Sequence, residues 1–282
     1  MGTPCRIVLY APDETAAIDA SKAAFSRIAE LEAVLSDYRL DSEVSRLADA
    51  QAGIWHSVSV DLASALETSR TVHQASIEAF DPALGTLTKL WRETRASGQL
   101  SSPETLEDAR SLAGFHLVEF DAVNRRVRLA STGVRFDFGG IGKGIAMDEA
   151  MTVLREHSID SALIDFGGDL LASGAPPEQP SGWRVSIEDG LGDPQAIDLS
   201  NKAIATSGDL EQFVEIGGVR YSHLIDPQTG LGLTQRRAAT VIAPGAAVAD
   251  ALASAACVLG ENGLETLRDA FPAATIAVRT AE

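Results

Sequence analysis

The sequence contains few cysteines, few aromatic residues and no long apolar run. Cys5 and Cys257 are its only cysteines, and their wide separation excludes both a disulfide framework and a cysteine-based zinc site. Both lie in apolar segments, so we expect buried thiols. No apolar run reaches the length that crosses a bilayer, and we therefore expect a globular chain without a transmembrane segment.

Positive charge is also scarce. The 282 residues include 23 Lys and Arg against 40 Asp and Glu, which gives a formal net charge of −17. Such a surface repels the phosphates of DNA and RNA, so we expect no nucleic-acid partner. An anionic ligand would need local help from a lysine, a helix N-terminus or a bound cation.

Helix and strand patterns are mixed along the chain without strict alternation. Apolar residues three or four apart predict long helices over residues 12–36 and Asp61–Ala75. A hairpin is predicted near Asn124, and short strands are predicted at CRIVLY, SALIDF, AATVIAP and ATIAVRT. This mixture favours an α+β fold, with mixed sheets packed against helices, over a doubly wound sheet. We expect a single domain over residues 1–282.

The tetrapeptide DFGG occurs twice, at 137–140 and 165–168, on either side of one predicted helix. We interpret this stretch as a strand–helix–strand unit with a glycine turn after each strand. The first copy continues as DFGGIGKGIAMDEA, where glycines allow close backbone approach and the helix start offers N–H groups to an anion. Its spacing fits neither the Walker A nor the Rossmann motif, so a glycine turn without a ligand is an equal alternative.

Asp250 and Ser254 are the candidate metal ligands. They lie four residues apart on the predicted helix VADALASAACVLG and therefore share a face. Carboxylate and hydroxyl oxygens suit Mg²⁺ when phosphate and water complete its coordination. The alternative is that Asp250 only interacts with the dipole of its own helix. Because the helix is otherwise apolar, however, this polar pair needs an internal partner.

Further polar residues stand in or near predicted turns. Lys143 has three possible roles: contact with a phosphate, an ion pair with Asp137, or a place in solvent. Asp169 is expected to cap a turn. His223 stands beside Asp226 in SHLIDPQTG, where a general base and a structural histidine are equally open. The motifs GxSxG and HExxH are absent, so serine hydrolase and zinc protease functions have no support.

Eight segments in chain order resemble the FAD:protein FMN transferase family, also called ApbE-like proteins. They are MGTPCRIVLY, SDYRLDSEVSRL, EAFDPALGTLTKLW, DFGGIGKGIAMDEA, ALIDFGGDLLASG, ATSGDLEQF, SHLIDPQTG and VADALASAACVLG. The resemblance implies an ApbE-like α+β architecture, for which two intertwined lobes are one option. It also implies Mg²⁺-dependent transfer of the FMN half of FAD onto a Thr or Ser hydroxyl of a target flavoprotein, with release of AMP.

The same resemblance implies a set of site residues. The metal ligands would be the Gly140 carbonyl, Asp250 and Ser254. His223 or Asp250 would accept the proton of the acceptor hydroxyl. The contacts to FAD would come from Met1, Tyr38, Ala79, Phe80, Asp81, Asp137, Lys143 and Ile225. The chain departs from the family pattern at Ala48 (usually Asn), Gly142 (Ala), Ile145 (often Tyr) and Ser254 (Thr), and no departure removes a metal oxygen.

Two other functions fit the same residues. One is a pyrophosphatase that cleaves FAD to FMN and AMP, and the other is a non-catalytic protein that stores or traffics FAD. The resemblance implies a place on the extracytoplasmic side of a bacterial membrane, periplasmic or held there by a lipid anchor on the full-length protein. No secretory signal pattern precedes the strand predicted at Arg6–Tyr10, so a removed signal and a cytoplasmic location both remain open.

Overall fold

The computed structural model describes residues 3–188, 191, 193–208 and 212–281. Within these ranges the helices are α1 Glu14–Leu35, α2 Glu43–Ala48, α3 Val60–Ala75, α4 Gly85–Ser97, α5 Pro103–Ser111, α6 Gly142–Glu156, α7 Ala246–Leu259 and α8 Leu264–Ala270. The strands are β1 Cys5–Tyr10, β2 Trp55–Ser57, β3 Val118–Asp121, β4 Arg126–Leu129, β5 Ser161–Phe166, β6 Asp169–Ser173, β7 Trp183–Ile187, β8 Gln195–Leu199, β9 Lys202–Gly208, β10 Phe213–Ile216, β11 Val219–Ser222, β12 Arg237–Ala243 and β13 Thr275–Thr280.

A six-stranded sheet forms the centre of the fold, in the order β1-β5-β6-β9-β12-β13. All its neighbouring strands pair antiparallel. Helix α7 packs on β9 and β12, α6 packs on α7, and α1 packs on α6, with the main apolar core between these layers. The predicted α+β class is therefore confirmed. None of the described helices combines the length and the apolar character that a bilayer crossing needs.

Helix α1 shows how the sequence fixes the helical layer. Asp13 caps its start, because its carboxylate accepts the N–H of Ala16 at 2.9 Å. Along the helix, the residues at helical spacing that face the core are buried, namely Ala20, Ala24, Leu31 and Leu35. The predicted long helix is confirmed, and its small residues let α6 pack closely against it.

Among the described residues, three smaller sheets accompany the central one. They are β2-β4-β3, β7-β8 and β10-β11. The hairpin predicted near Asn124 is the β3–β4 hairpin, in which the Asp121 carboxylate accepts the N–H of Asn124 at 3.1 Å. The strands β2, β6 and β10 were not predicted, because their segments are short or rich in polar residues and carry no clear alternation.

The strand–helix–strand interpretation of the two DFGG segments is confirmed for its helix, α6, and its second strand, β5, but is wrong for its first strand. Residues 134–138 form no strand, because the N–H of Asp137 bonds to the oxygen of Pro82 at 2.8 Å rather than to a sheet neighbour. The second segment closes a hairpin in which Phe166 pairs with Asp169 across the turn. Gly167 and Gly168 form that turn with φ of 67° and 92°, which glycine adopts without steric cost.

The two cysteines differ in burial. Cys257 on α7 is buried as predicted, and its thiol donates to the main-chain oxygen of Ser207 at 3.1 Å. Cys5 is only partly buried, because β1 is an edge strand of the central sheet. Burial and the charge of Asp165 still raise the pKa of the Cys5 thiol.

Candidate active site

Helices α6 and α7 cross with their first turns in contact. A Cβ atom on Gly144 in α6 would lie 2.3 Å from the main-chain oxygen of Ala246, so no larger residue fits at this crossing. One turn later, the carboxylate of Asp148 accepts the N–H groups of Ala246 at 2.8 Å and Ala247 at 2.9 Å. A helix leaves such N–H groups without partners, so Asp148 caps α7 from the neighbouring helix. The crossing thus fixes the position of the next turn of α7, which carries Asp250.

Asp250 is a buried carboxylate at this crossing, with 2% of its surface exposed. Its Oδ2 accepts the N–H of Gly144 at 3.2 Å, and its Oδ1 lies 3.9 Å from Nζ of Lys143. Burial raises the pKa of Asp250 to about 7, although the positive charge of Lys143 acts in the opposite direction. Asp250 therefore has partners outside its own helix, as a polar residue on an apolar helix requires.

Lys143 stands in the first turn of α6 and forms an ion pair with Asp169 at the start of β6. Asp169 is 2% exposed, and its Oδ1 accepts the N–H of Thr206 on β9 at 3.1 Å. Burial disfavours the Lys143 ammonium, but the charges of Asp250 and Asp169 outweigh this effect and raise its pKa. One cation thus lies between two buried carboxylates.

This ion pair corrects two interpretations of the sequence. Asp169 does not merely cap a turn, because the β5–β6 hairpin brings its carboxylate to Lys143. Lys143 neither pairs with Asp137 nor lies in solvent, since 27% of its side chain is exposed and Asp137 pairs with Arg92. The third interpretation, contact with a phosphate, stays a prediction that the remaining exposure allows.

The main chain at Gly140 and the hydroxyl of Ser254 also lie at the crossing. Ser254 follows Asp250 by one turn of α7, and its hydroxyl lies 3.3 Å from the hydroxyl of Ser207 on β9. A Cβ on Gly140 would lie 2.9 Å from the Ser254 hydroxyl, so the glycine turn passes directly over this part of α7. The structure therefore brings all three predicted metal ligands, Gly140, Asp250 and Ser254, into one neighbourhood.

The chemistry of this donor set fits Mg²⁺. A carboxylate, a hydroxyl and a main-chain carbonyl are hard oxygen donors, and Mg²⁺ is usually held by one or two carboxylates plus phosphate and water. Across the described ranges, no group of three or more His, Cys, Asp or Glu side chains is arranged to hold a metal ion. A site with one carboxylate is compatible with that finding, because its other donors are a hydroxyl and a carbonyl.

Asp137 and Tyr38, two predicted FAD contacts, are joined by Arg92 of α4. The guanidinium donates to Asp137 Oδ2 at 2.7 Å and lies 4.2 Å from the centroid of the Tyr38 ring. The other oxygen of Asp137 accepts the N–H of Gly139 at 2.7 Å. The structure thus brings two segments that are distant in sequence to one place.

The segment Ala79–Phe80–Asp81, also predicted to contact FAD, follows α3. Phe80 is buried, and its ring edge lies 3.4 Å from a Cβ placed on Gly140, so it contacts the glycine turn. The carboxylate of Asp81 accepts hydrogen bonds from the main-chain N–H groups of Ala83 at 2.7 Å and Phe115 at 2.9 Å. Burial raises the pKa of Asp81. Contacts of Ala79 and Asp81 with FAD stay predictions, and Met1 lies outside the described residues.

The segment that carries His223 and Ile225 is anchored beside α4. The indole N–H of Trp91 donates to the oxygen of Ser222 at 2.9 Å. His223 contacts the main-chain oxygen of Gln212, with its N–H at 2.9 Å and Nδ1 at 3.3 Å. Ile225 is buried and bridges to Gly232.

The carboxylate of Asp226 stabilises the turn that follows His223. Its Oδ1 accepts the N–H of Gln228 at 2.8 Å. The structural contact of His223 with Gln212 is observed, whereas a role as general base stays a prediction.

Arg92, Asp148 and the partners of Asp169 were missed in the sequence. Each of these residues acts on a segment far away in the chain, so no local spacing indicated its role. An arginine in a predicted helix does not by itself indicate that its side chain stacks on an exposed tyrosine, because that contact depends on the fold. An acidic residue in mid-helix is usually a solvated one, which concealed the capping role of Asp148.

Comparison with known proteins gives consistent matches. The model of the ApbE family matches residues 1–276. A FAD:protein FMN transferase of Treponema pallidum is 36% identical and covers 96% of this chain and 80% of its own. The protein with the same name from Escherichia coli K12 is 30% identical and covers 83% of this chain and 70% of its own.

Solved structures agree with these sequence matches. The flavin transferase ApbE from Vibrio cholerae superposes with a TM-score of 0.87 at 26% identity, covering 99% of this chain and 90% of its own. The apo flavinyl transferase ApbE of Pseudomonas stutzeri gives a TM-score of 0.83 at 26% identity, with 99% and 95% covered. Each of these two structures therefore matches nearly the whole of this chain, including the central sheet and the crossing helices α6 and α7.

Proposed function

Because this chain belongs to the ApbE family, we propose that it transfers the FMN half of FAD to a protein acceptor. The observation that carries the proposal is the crossing of α6 and α7. There a buried carboxylate, a hydroxyl, a glycine turn and one ammonium group converge. Phosphoryl transfer depends on positioning and on the stabilisation of charge, and these groups can supply both.

We propose that Mg²⁺ binds to the carbonyl of Gly140, the carboxylate of Asp250 and the hydroxyl of Ser254. When bound, it would supply positive charge that stabilises the phosphoryl oxygens and the leaving AMP. Gly144 supports this role, since its N–H holds one oxygen of the Asp250 carboxylate in place. The −17 charge of the chain makes such local compensation necessary for a pyrophosphate ligand.

Lys143 is the second source of positive charge. The carboxylates of Asp169 and Asp250 keep it protonated, so its ammonium is available to offset phosphate charge. Contact with FAD would use the part of its side chain that is still exposed. Asp169 then acts as the residue that orients the ammonium, while Thr206 holds Asp169 from the other side.

The acceptor would be a Thr or Ser hydroxyl of a flavoprotein. Its oxygen forms a bond to the phosphorus of the FMN half, the bond from that phosphorus to the oxygen of AMP breaks, and the hydroxyl proton passes to a base. Asp250 and His223 are the candidate bases. Because Asp250 would bind the metal in this scheme, the more accessible His223 is the better candidate for the base.

The decisive experiment is mass spectrometry of a candidate acceptor after incubation with the protein, FAD and Mg²⁺. We expect a mass increase of one FMN on the acceptor and one AMP released per modified acceptor. Release of AMP without acceptor modification would instead identify a pyrophosphatase. Tight FAD binding without AMP release under any metal would identify a storage protein.

We also propose that the reaction takes place on the extracytoplasmic side of a bacterial membrane. Cell fractionation of the full-length protein tests this proposal. Recovery in the periplasmic or membrane fraction is expected, and recovery in the cytoplasm alone would contradict it.

A further inference from the structure

Arg92 connects three segments that surround the predicted FAD contacts. It lies on α4, and its Nη1 donates to Asp37 Oδ2 at 2.5 Å while its Nη2 donates to Asp137 Oδ2 at 2.7 Å. Its guanidinium also lies over the ring of Tyr38, 4.2 Å from the centroid. Asp37 and Tyr38 belong to the loop after α1, whereas Asp137 begins the glycine turn. A single side chain therefore ties this loop and this turn to α4.

The Tyr38 ring is unusually placed for a large aromatic side chain. The residue is 74% exposed, and the guanidinium of Arg92 lies over its ring. An aromatic ring in solvent changes rotamer freely unless a contact holds it. Because the stacked guanidinium supplies that contact, the ring is held in place next to a pocket of about 220 Å³ lined by Asp37, Tyr38 and Arg92.

The second bond of Arg92 acts on the glycine turn. Asp137 gives one oxygen to Arg92 and the other to the N–H of Gly139, at 2.7 Å in each case. Gly140 is the next residue. Through Asp137, Arg92 therefore also helps to hold the main chain of the glycine turn at the α6–α7 crossing.

We propose that Arg92 is a positioning residue for FAD, which fixes Tyr38 and Asp137 relative to each other before the dinucleotide binds. This inference rests on the proposed function, because FAD contacts of Tyr38 and Asp137 are part of it. Preorganisation of two contacts lowers the entropy lost on binding, so Arg92 acts on affinity rather than on the chemical step.

Only arginine suits this position. Its planar fork donates to two carboxylates while its face stacks on an aromatic ring, and a lysine ammonium cannot do both. The carboxylates of Asp37 and Asp137 lie near each other, and burial together with the charge of Asp137 raises the pKa of Asp37. Without the guanidinium these two acids would repel, so the loop and the turn would separate.

The test compares Arg92→Gln and Arg92→Lys with an arginine that makes the same kinds of contact elsewhere. Arg128 on β4 pairs with Glu119 and lies over the ring of Trp55, in the sheet β2-β4-β3. We expect both Arg92 variants to raise the Kd and the KM for FAD about tenfold or more, with kcat at saturating FAD changed less than about threefold. Arg128→Gln should leave all three constants within about twofold of the unsubstituted protein.

A second pair of variants separates positioning from simple charge neutralisation. In Arg92→Gln combined with Asp37→Asn, the repulsion is removed but Tyr38 is still not held, so FAD binding should stay weak. In a double-mutant cycle, Tyr38→Leu should weaken FAD binding less in the Arg92→Gln background than in the unsubstituted protein. Recovery of FAD affinity by Asp37→Asn, or full additivity in the cycle, would overturn the proposal.

The measurement of binding distinguishes this proposal from the proposed function. If the unsubstituted protein binds FAD but modifies no acceptor, the transferase function fails and the role of Arg92 in binding is still decided by the Kd values. If the Arg92 variants bind FAD as tightly as the unsubstituted protein, the role of Arg92 fails while the transferase function stands. Absence of FAD binding by the unsubstituted protein would overturn both.

Discussion

The carboxylate of Asp148 on α6 accepts the N–H of Ala246, the first residue of α7, at 2.8 Å. A helix cap usually comes from the residue just before the helix, but here Gly245 stands there and offers no side chain. The cap therefore joins two helices that are far apart in sequence. This cap fixes the position of α7 along its own axis relative to α6, and therefore also the position of Asp250.

The first prediction concerns this cap. Asp148→Ala should lower the free energy of unfolding by about 1–2 kcal/mol, because two N–H groups at the start of α7 lose their acceptors. Urea denaturation followed by circular dichroism measures the effect. Glu156→Gln, an exposed change on the same helix, serves as the control and should alter stability by less than about 0.5 kcal/mol. Equal stability of the two variants would refute the capping role.

The second prediction compares two glycines in the first turn of α6. A Cβ on Gly144 would lie 2.3 Å from the oxygen of Ala246, whereas a Cβ on Gly142 meets only the Cβ of Phe138 at 3.8 Å. Gly144→Ala should therefore cost about 3 kcal/mol of stability and displace the N–H that holds Asp250. Gly142→Ala should be neutral, or stabilising by up to about 1 kcal/mol, through helix propensity. Thermal unfolding of both variants decides the matter, and a tolerated Gly144→Ala would show that the helices do not pack this closely.

The third prediction concerns the proposed metal ligands. Asp250→Ala should abolish FMN transfer and weaken Mg²⁺ binding, since it removes the one carboxylate of the donor set. Ser254→Ala should reduce transfer about tenfold or more, while Ser254→Thr, which keeps the hydroxyl, should retain activity. Transfer assays with Mg²⁺ titration measure both effects, with Glu265→Gln on the surface of α8 as the control. Full transfer by Asp250→Ala at low micromolar Mg²⁺ would rule out the proposed site.

The fourth prediction is a pH dependence in the metal-free protein. The pKa of Asp250 is 3.8 in the unfolded chain and about 7 in the folded one. Between these values the folded state binds more protons, so its stability is full below the lower pKa and falls as pH rises towards the upper one. Asp250→Asn should remove this part of the slope when denaturation is measured in EDTA from roughly pH 3 to pH 8, a range that spans both pKa values.

Mg²⁺ completes that test. Because it binds the ionised carboxylate, it should restore stability to the unsubstituted protein at the upper end of the pH range and leave Asp250→Asn unchanged. An identical pH slope in the two proteins would show that the Asp250 proton is not linked to folding. Stabilisation of Asp250→Asn by Mg²⁺ to the same extent would place the metal elsewhere.

The helices and most of the strands could be predicted from the sequence because their information is local. The period of Ala20, Ala24, Leu31 and Leu35 marks α1, and the cap at Asp13 marks its start. Residues 134–138 resemble a strand in sequence, because an apolar segment before a glycine turn is typical of one, and only the contact with Pro82 shows that they form none. The pairing order of the central sheet was beyond local patterns altogether.

The candidate site was predictable to a different degree for each residue. Asp250 and Ser254 could be found, because a polar pair on an apolar helix is conspicuous. The ion pair of Lys143 with Asp169 could not be found, since it depends on the hairpin that brings β6 beside α6. Arg92 was invisible for the same reason, because its partners come from the loop after α1 and from the glycine turn.

The ion pair between Lys143 and Asp169 has a consequence for selectivity. Any anion that approaches the ammonium meets two acidic groups already engaged with it, so a chloride or a lone orthophosphate gains little by entering. Under the proposed function, a dinucleotide that brings a divalent ion and also binds through its rings would compete better with these two carboxylates. We therefore expect the resting protein to bind small anions weakly and to favour a ligand that engages several points at once.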